Sequence, residues 1–331
     1  MKIERVICAP LNYSHRQQGQ LDGLAAVFGP DNIAEFDFWG LRKAHVGSNA
    51  ISERLLNLAR EFKPDWIWFQ IQESQGIKPE VITQLKAEHP KCVITHWTGD
   101  CRPKVSDHLA EICKATDVTL ISSIGQIPMF QAAGAKIVEY VQIGADYGSD
   151  ILGDYDAWRP SFRVPDVVLC GNYYGKTFEQ GSQERLDAIR ALVEAKIDVG
   201  VIGRGWPDDI KPVGQCHVKQ QHHVYKRAKV ALSINHFNNV ERYYSDRQII
   251  AMASGTPVVA RYVPGLGHEF VDQSECVFWD PLKHSLVESV QWLLANPGMA
   301  GAIGRNGREA IIKRHTWASR FRELLPRLEL L

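Results

Sequence analysis

The chain has 331 residues, of which 45% are hydrophobic and 23% charged, and its 38 Lys and Arg balance 38 Asp and Glu. That length suits two ordinary domains, the composition is that of a folded globular protein, and the charge balance speaks against a globally basic nucleic-acid binder. No apolar run reaches membrane-spanning length. MKIERVICAP reads as a strand rather than a signal peptide, and the seven cysteines, scattered without a C-x-x-C, fit reduced thiols in a cytoplasmic protein.

The first half alternates strand and helix. Short apolar, β-rich runs predict strands at Arg5–Ala9, Ile33–Phe38, Trp66–Ile71, Cys92–Trp97, Val118–Ser122 and Ile137–Val141. Helices are expected around 18–28, 49–62, 79–88, 104–115 and 126–133. In the second of these, Ile51, Leu55, Leu58 and Phe62 form one apolar stripe. Such alternation predicts a parallel sheet covered by helices. Trp66, Trp68 and Phe69 read as core residues of their strand. Residues 143–165 break the rhythm with Gly, Asp and Pro. A first domain is therefore expected at 1–150, a linker at 151–165 and a second domain at 166–331, whose last helix is free to pack back on the first.

The alternation then restarts. Strands are expected at Val167–Cys170, Val199–Ile202, Val230–Ile234, Val258–Ala260 and Cys276–Phe278, and helices near 183–195, 222–229, 246–254, 282–295, 298–313 and 317–325. Asp280-Pro281 and Asn296-Pro297 read as cap and first position of the helices they precede. Two familiar ligand motifs are missing. VIGRGWPDD at 201–209 has Gly203 and Gly205 but Asp208 where a dinucleotide fingerprint needs its third glycine, and there is no P-loop. A glycine turn after a strand still lets backbone N–H groups approach an anion, with Arg204 adding charge, although a plain turn reads the same way. Asp154-Tyr155-Asp156 follows no strand and reads as an acidic turn. Cys216, His217, His222 and His223 lack metal-ligand spacing, so no metal site is expected.

The densest stretch is 235–281. SDRQIIAMASGTPVVARYVPGLGHEFVDQSECVFW, followed by a helix pair and KRHTWASRFRELL, resembles the C-terminal half of a GT-B glycosyltransferase of the group-1 type, in the branch that includes spore-maturation-protein-like enzymes. The resemblance is strong over about the last 90 residues and weaker over most of the chain. It implies an α/β fold of two Rossmann-like domains facing across a cleft. The implied activity is transfer of a sugar from a nucleotide sugar, a UDP-sugar above all, to an acceptor hydroxyl without an essential metal or other cofactor. One departure stands out: many retaining members carry Glu where this chain has Ile250.

The resemblance also distributes roles. The donor's diphosphate gains charge as the glycosyl bond breaks and needs a cation or a helix N-terminus. Arg247, in the first turn of the helix that follows Tyr244, Ser245 and Asp246, is the expected stabiliser. Gly171, Asn172, Tyr173 and Lys176 in one loop, Gly203 and Arg204 in another, and Pro264 and Gly265 in a third are expected around the donor, with the polar stretch Val218–Gln221 beside its base. Asp100, with His96 second, is the expected base if the enzyme inverts; a retaining enzyme needs none. Asp100 fits equally well as a helix cap. Ser14, His15, Trp97 and Arg102 are the acceptor candidates. The acceptor is a glycan, a protein or, as in phage-type relatives, a hydroxylated or hydroxymethylated base in DNA, where Arg102, Lys104, Lys226, Arg227 and Lys229 would supply a basic rim. A non-catalytic nucleotide-sugar-binding protein and a nucleotide-sugar epimerase of the same fold remain alternatives. Oligomeric state and stereochemical outcome stay open.

Overall fold

The computed structural model describes residues 2–72, 76–154 and 158–330. The chain divides into two compact units: Met1–Gly144 with Trp317–Leu331, and Ala145–Thr316. Each is a parallel sheet with helices.

Unit one has six strands: β1 Val6–Ala9, β2 Ile33–Glu35, β3 Trp66–Gln70, β4 Val93–Thr98, β5 Val118–Ile121 and β6 Val138–Tyr140, in the order β2-β1-β3-β4-β5-β6. β1, β3, β4 and β5 are buried along their whole length, which is why they read as unbroken apolar runs rather than alternating ones. Helices α1 Gln18–Phe28, α2 Phe38–Lys43, α3 Ser48–Phe62, α4 Pro79–Glu88, α5 Asp107–Ala115 and α6 Ile127–Ala132 connect them. The helix α2 lies where the sequence predicts the end of a strand. Asp37 starts it by accepting a hydrogen bond from Gly40 N at 2.8 Å.

The last helix of the chain, α12 Trp317–Leu328, belongs to unit one. Its Trp317 and Phe321 close an aromatic cluster on the sheet, with Trp68 stacked on Trp97 at 5.9 Å and Trp317 edge-on to Trp97 at 5.0 Å. Gly23 allows α1 to come close, because a Cβ there would lie 2.7 Å from that of Trp317.

Unit two has strands β7 Val167–Cys170, β8 Val199–Ile202, β9 Val230–Ser233, β10 Val258–Arg261 and β11 Val277–Trp279, ordered β11-β10-β9-β7-β8. Its helices are α7 Glu179–Glu194, α8 Gln221–Tyr225, α9 Asp246–Ala253, α10 Leu286–Ala295 and α11 Pro297–Arg314. Ser285, not Asp280-Pro281, begins α10, its hydroxyl accepting from Glu288 N at 3.3 Å; Asp280 instead holds a turn by accepting from Leu282 N.

The stretch expected as a linker is largely part of unit two. Asp146 accepts from Gly148 N and Ser149 N at the head of a π-type turn, Tyr147–Leu152. Its other oxygen takes Lys219 Nζ at 2.6 Å, and Lys219 also donates to Ser149 Oγ. His222 Nδ1 meets Asp150 O at 2.7 Å. Burial pushes the Asp150 carboxyl up to about 6, against the pull of Lys219. A polar, aperiodic sequence gave no hint of this, because the partners lie some seventy residues downstream. Tyr155 and Asp156 of the acidic triplet lie outside the described residues.

Candidate functional site

Both sheets reverse strand order once. In unit two the reversal falls between β7 and β9, the position at which open α/β sheets bind ligands beyond their carboxyl ends. Arg247 sits there. It projects from the first turn of α9, its Nε donating to Cys170 O at the end of β7, and its Nη1 to Ser245 Oγ at 3.0 Å and to Ile234 O at 3.5 Å beyond β9. One guanidinium thus spans the two strand ends. Gly171 leaves it room, since a Cβ there would lie 3.2 Å from Arg247 Nη2.

A second guanidinium lies behind it. Arg185, from α7, is 1% exposed. Its Nε donates to the same Ile234 O at 2.8 Å and its Nη1 to Asn172 O at 2.9 Å. Nη1 also faces His236 Nε2 at 2.6 Å. Burial, then the nearby Arg247, pulls Arg185 well below its ordinary pKa. Burial with Arg185 and Arg247 holds His236 down to about 3, so its ring is neutral. Its Nε2 accepts and its Nδ1 carries the proton, buried without a hydrogen-bond partner. Among the described residues, neither arginine forms an ion pair with a carboxylate. Two unpaired guanidinium groups at a strand-order reversal create a positive field where an anion can be received.

The surrounding loops are fixed by polar contacts. Asn235 accepts from Ser245 N at 3.1 Å, and Asn238 is held by Glu184, which also pairs with Arg261 at the end of β10. Gly203 and Gly205 are required by packing: a Cβ would come within 2.3 Å of Gly171 O and 2.4 Å of Tyr173 O. Asn172 accepts Arg204 N, and Tyr173 N donates to Arg204 O. The G-R-G turn therefore docks one strand-end loop on another, its Arg204 amide already engaged by Asn172, while the side chains of Arg204 and Lys176 are exposed. Tyr173 packs against Trp206.

Several expectations need correction. Tyr244 is 1% exposed, with its hydroxyl on Glu269, so it is a core residue rather than a donor contact. Pro264 and Gly265 lie in the loop after β10, held by Arg242 N donating to Pro264 O. Val218–Gln221 is tied down through the buried Lys219. In unit one, His96 is fully buried, with Nε2 on Ile71 O at 2.6 Å and its pKa lowered by burial to about 4. It anchors the loop after β3 and is no accessible base. Trp97 is a core indole donating to Val141 O. Arg102 clamps strand-end loops through Gln72 O and Thr98 Oγ1. Asp100 remains exposed after β4. Ser14 Oγ and His15 Nδ1 lie 2.9 Å apart in the loop after β1.

Arg185 and His236 were absent from the sequence-derived site. Arg185 did leave a signal: it interrupts the stripe Ser182, Leu186, Ile189, Leu192 that α7 buries, and a cation on a buried stripe demands a reason.

A sequence profile described as "glycosyl transferase-like" matches residues 183–326. No curated protein matches the chain. Solved structures share its fold over nearly the full length. A glycosyltransferase from Rickettsia africae is 11% identical with a TM-score of 0.62, covering 99% of this chain and 98% of that one. Anabaena HepE, solved with UDP-glucose, is 14% identical with a TM-score of 0.61, covering 98% and 100%. Sucrose-phosphate synthase from Thermosynechococcus elongatus is 15% identical with a TM-score of 0.59, covering 98% and 99%. The likeness establishes the fold class, two parallel sheets with helices as in GT-B structures. No helix among the described residues is long and apolar enough to cross a membrane.

Proposed function

We propose that the protein is a glycosyltransferase of the group-1 type, in the spore-maturation-protein-like branch, moving a sugar from a nucleoside diphosphate donor to an acceptor hydroxyl. The observation that carries this reading is Arg247 spanning the ends of β7 and β9, with the buried Arg185 behind it. Unit two binds the donor and unit one presents the acceptor. The profile match over 183–326 and the UDP-glucose complex of Anabaena HepE support a UDP-sugar as donor.

As the glycosyl bond breaks, negative charge builds on the β-phosphate. Arg247 neutralises it from a position fixed by two strand ends, so little reorganisation is needed at the moment of reaction. Arg185 shares the Ile234 carbonyl with Arg247 and adds to the field. The reaction runs without an essential metal, the guanidinium groups supplying the charge. The acceptor is a glycan or protein hydroxyl, or a hydroxylated base in DNA; a DNA acceptor would show binding that falls steeply with salt. If the anomeric centre inverts, Asp100 takes the acceptor proton.

The test is a thermal-shift panel of UDP-, GDP-, ADP- and CMP-sugars with and without EDTA, because a ligand that binds only the folded state raises the melting temperature. An EDTA-insensitive shift with one nucleotide, together with sugar transfer, supports the reading. Binding without transfer or donor hydrolysis would convert it to a non-catalytic binding protein, and turnover without an acceptor would point to an epimerase. No shift from any donor would sink it.

A further inference from the structure

The peptide group that joins Ile234 to Asn235, just beyond β9, is gripped at both ends. Its carbonyl, Ile234 O, accepts from Arg185 Nε at 2.8 Å and from Arg247 Nη1 at 3.5 Å. Its N–H, on Asn235, donates to Asn238 Oδ1 at 3.0 Å. A trans peptide is planar, with these two groups on opposite sides. A grip at each end therefore fixes the tilt of the carbonyl that the two arginines share.

Asn238 is suited to this place by its other partners. Its Nδ2 donates to Asn235 O at 3.0 Å and to Glu184 Oε2 at 2.7 Å. One acceptor and two donors are all used, a set that a carboxylate in the same position could not supply. Asn238 is 8% exposed and Asn235 1%, so water is a poor substitute for these bonds. Asn235 Oδ1 accepts from Ser245 N at 3.1 Å where α9 begins, and Ser245 Oγ accepts from Arg247 Nη1 at 3.0 Å. Asn238 thus reaches Arg247 by two routes, through the Ile234 carbonyl and through the start of α9.

The outer anchor is Glu184. It precedes Arg185 on α7, so consecutive residues of one helix hold the two ends of the same peptide group, Arg185 directly and Glu184 through Asn238. The Glu184 carboxylate also pairs with Arg261, whose guanidinium lies over the Trp279 ring at 5.8 Å. The charge of Glu184 is compensated there, so it restrains the relay without cancelling the field of Arg247.

We infer that Asn238, anchored by Glu184, is a positioning residue that aims the Arg247 guanidinium. Its effect on sugar transfer rests on the transferase reading; the aiming of Arg247 does not.

The experiment joins kinetics of the full-length protein to nitrogen-15 NMR of its arginine Nε–H groups. The Arg247 signal is the one absent from Arg247→Ala. Its exchange with water should accelerate about tenfold or more in Asn238→Ala. Turnover should fall about tenfold or more in the same variant, because a charge aimed away from the reacting bond loses transition-state stabilisation. The donor KM should change less than about threefold. In an Arg247→Ala background, Asn238→Ala should cost less than about threefold further, since the group it aims is gone. Glu184→Gln keeps the size of the side chain but sets an amide donor against Asn238 or Arg261, and should give the same changes by a smaller step; it carries the test if Asn238→Ala proves unfolded by circular dichroism. Arg247 exchange unchanged in the folded variants overturns the positioning role, as does a turnover loss that is equally large without Arg247. Accelerated exchange in a protein that transfers no sugar even when unaltered counts against the transferase reading alone.

Discussion

The two sheets reverse strand order at equivalent places, yet fill the reversal with opposite chemistry. Between β1 and β3 of unit one lies a neutral plug. Gln20 Nε2 donates to Gln70 Oε1 at 2.7 Å, Leu11 N donates to the same oxygen at 3.1 Å, and Trp68 Nε1 donates to Gln20 Oε1 at 2.8 Å. Between β7 and β9 of unit two lie Arg247 and Arg185 on backbone carbonyls. Both devices tie the strand ends together. Only the second leaves charge uncompensated, and charge without a partner is what a diphosphate can use. Topology therefore offers a place in both units, and side-chain identity decides what each can receive.

The contrast can be broken experimentally. Arg247→Ala should lower kcat by about a hundredfold or more, on the order of 3 kcal/mol; unchanged turnover would remove it from the mechanism. Arg185→Met strands Asn172 O and His236 Nε2 and leaves Ile234 O only the long bond from Arg247, so urea unfolding should show a loss on the order of 2–3 kcal/mol, accompanied by weaker donor binding. A stability loss with donor affinity intact would make Arg185 a packing residue only. Gln20→Leu in the neutral plug should cost about 1–2 kcal/mol and leave donor affinity unchanged. A matching loss of affinity would mean the two reversals are not chemically distinct.

The smallest effect is on pH. His96 and His236 are held neutral in the fold, at about 4 and about 3, chiefly by burial. The unfolded chain takes up protons below about 6.5, where these two do not. Their contribution is complete above that pH and is lost as pH falls toward 4, with a slope of at most about 1.4 kcal/mol per pH unit for each. Asp150 acts in the opposite sense. Its folded value of about 6 exceeds the unfolded 3.8, so the fold holds the extra proton and stability falls as pH rises through that interval. His96→Gln and His236→Gln should flatten the rise in stability between about pH 4 and 6.5, and Asp150→Asn, which removes the opposing fall in the same interval, should steepen it. A curve unchanged in all three would mean that these groups are solvated in the fold.

Much of the fold was legible because parallel, doubly covered strands are unbroken apolar runs and the helices between them are striped. The strands expected at Arg5–Ala9, Trp66–Ile71 and Val167–Cys170 form as VICA, WIWFQ and VVLC. What escaped notice depended on partners distant in sequence. Six-residue α2 is set by Asp37 and by packing, not by periodicity. The turn after Asp146 exists because Lys219 meets it. At the candidate site, the unusual placement of Arg247 was legible, because a cation in a helix's first turn is unfavourable alone. The roles of Gly203 and Gly205 were not, since a glycine spared for an anion and one spared for a neighbouring loop look alike in sequence. His96 and Trp97 illustrate the same limit: reactive side chains near a strand end can point into the core as readily as out of it.

The placement of α12 has a consequence for how the chain is made. Trp317 and Phe321 complete the aromatic cluster over Trp66, Trp68 and Trp97, but they are synthesised after the whole of unit two. During translation the first sheet must wait with its indoles uncovered until Trp317 and Phe321 have emerged, while unit two, contiguous from Ala145 to Thr316, can close beforehand. The later half of the chain is thus the one free to fold vectorially, and the earlier half is the natural client of a chaperone that recognises exposed aromatic surface.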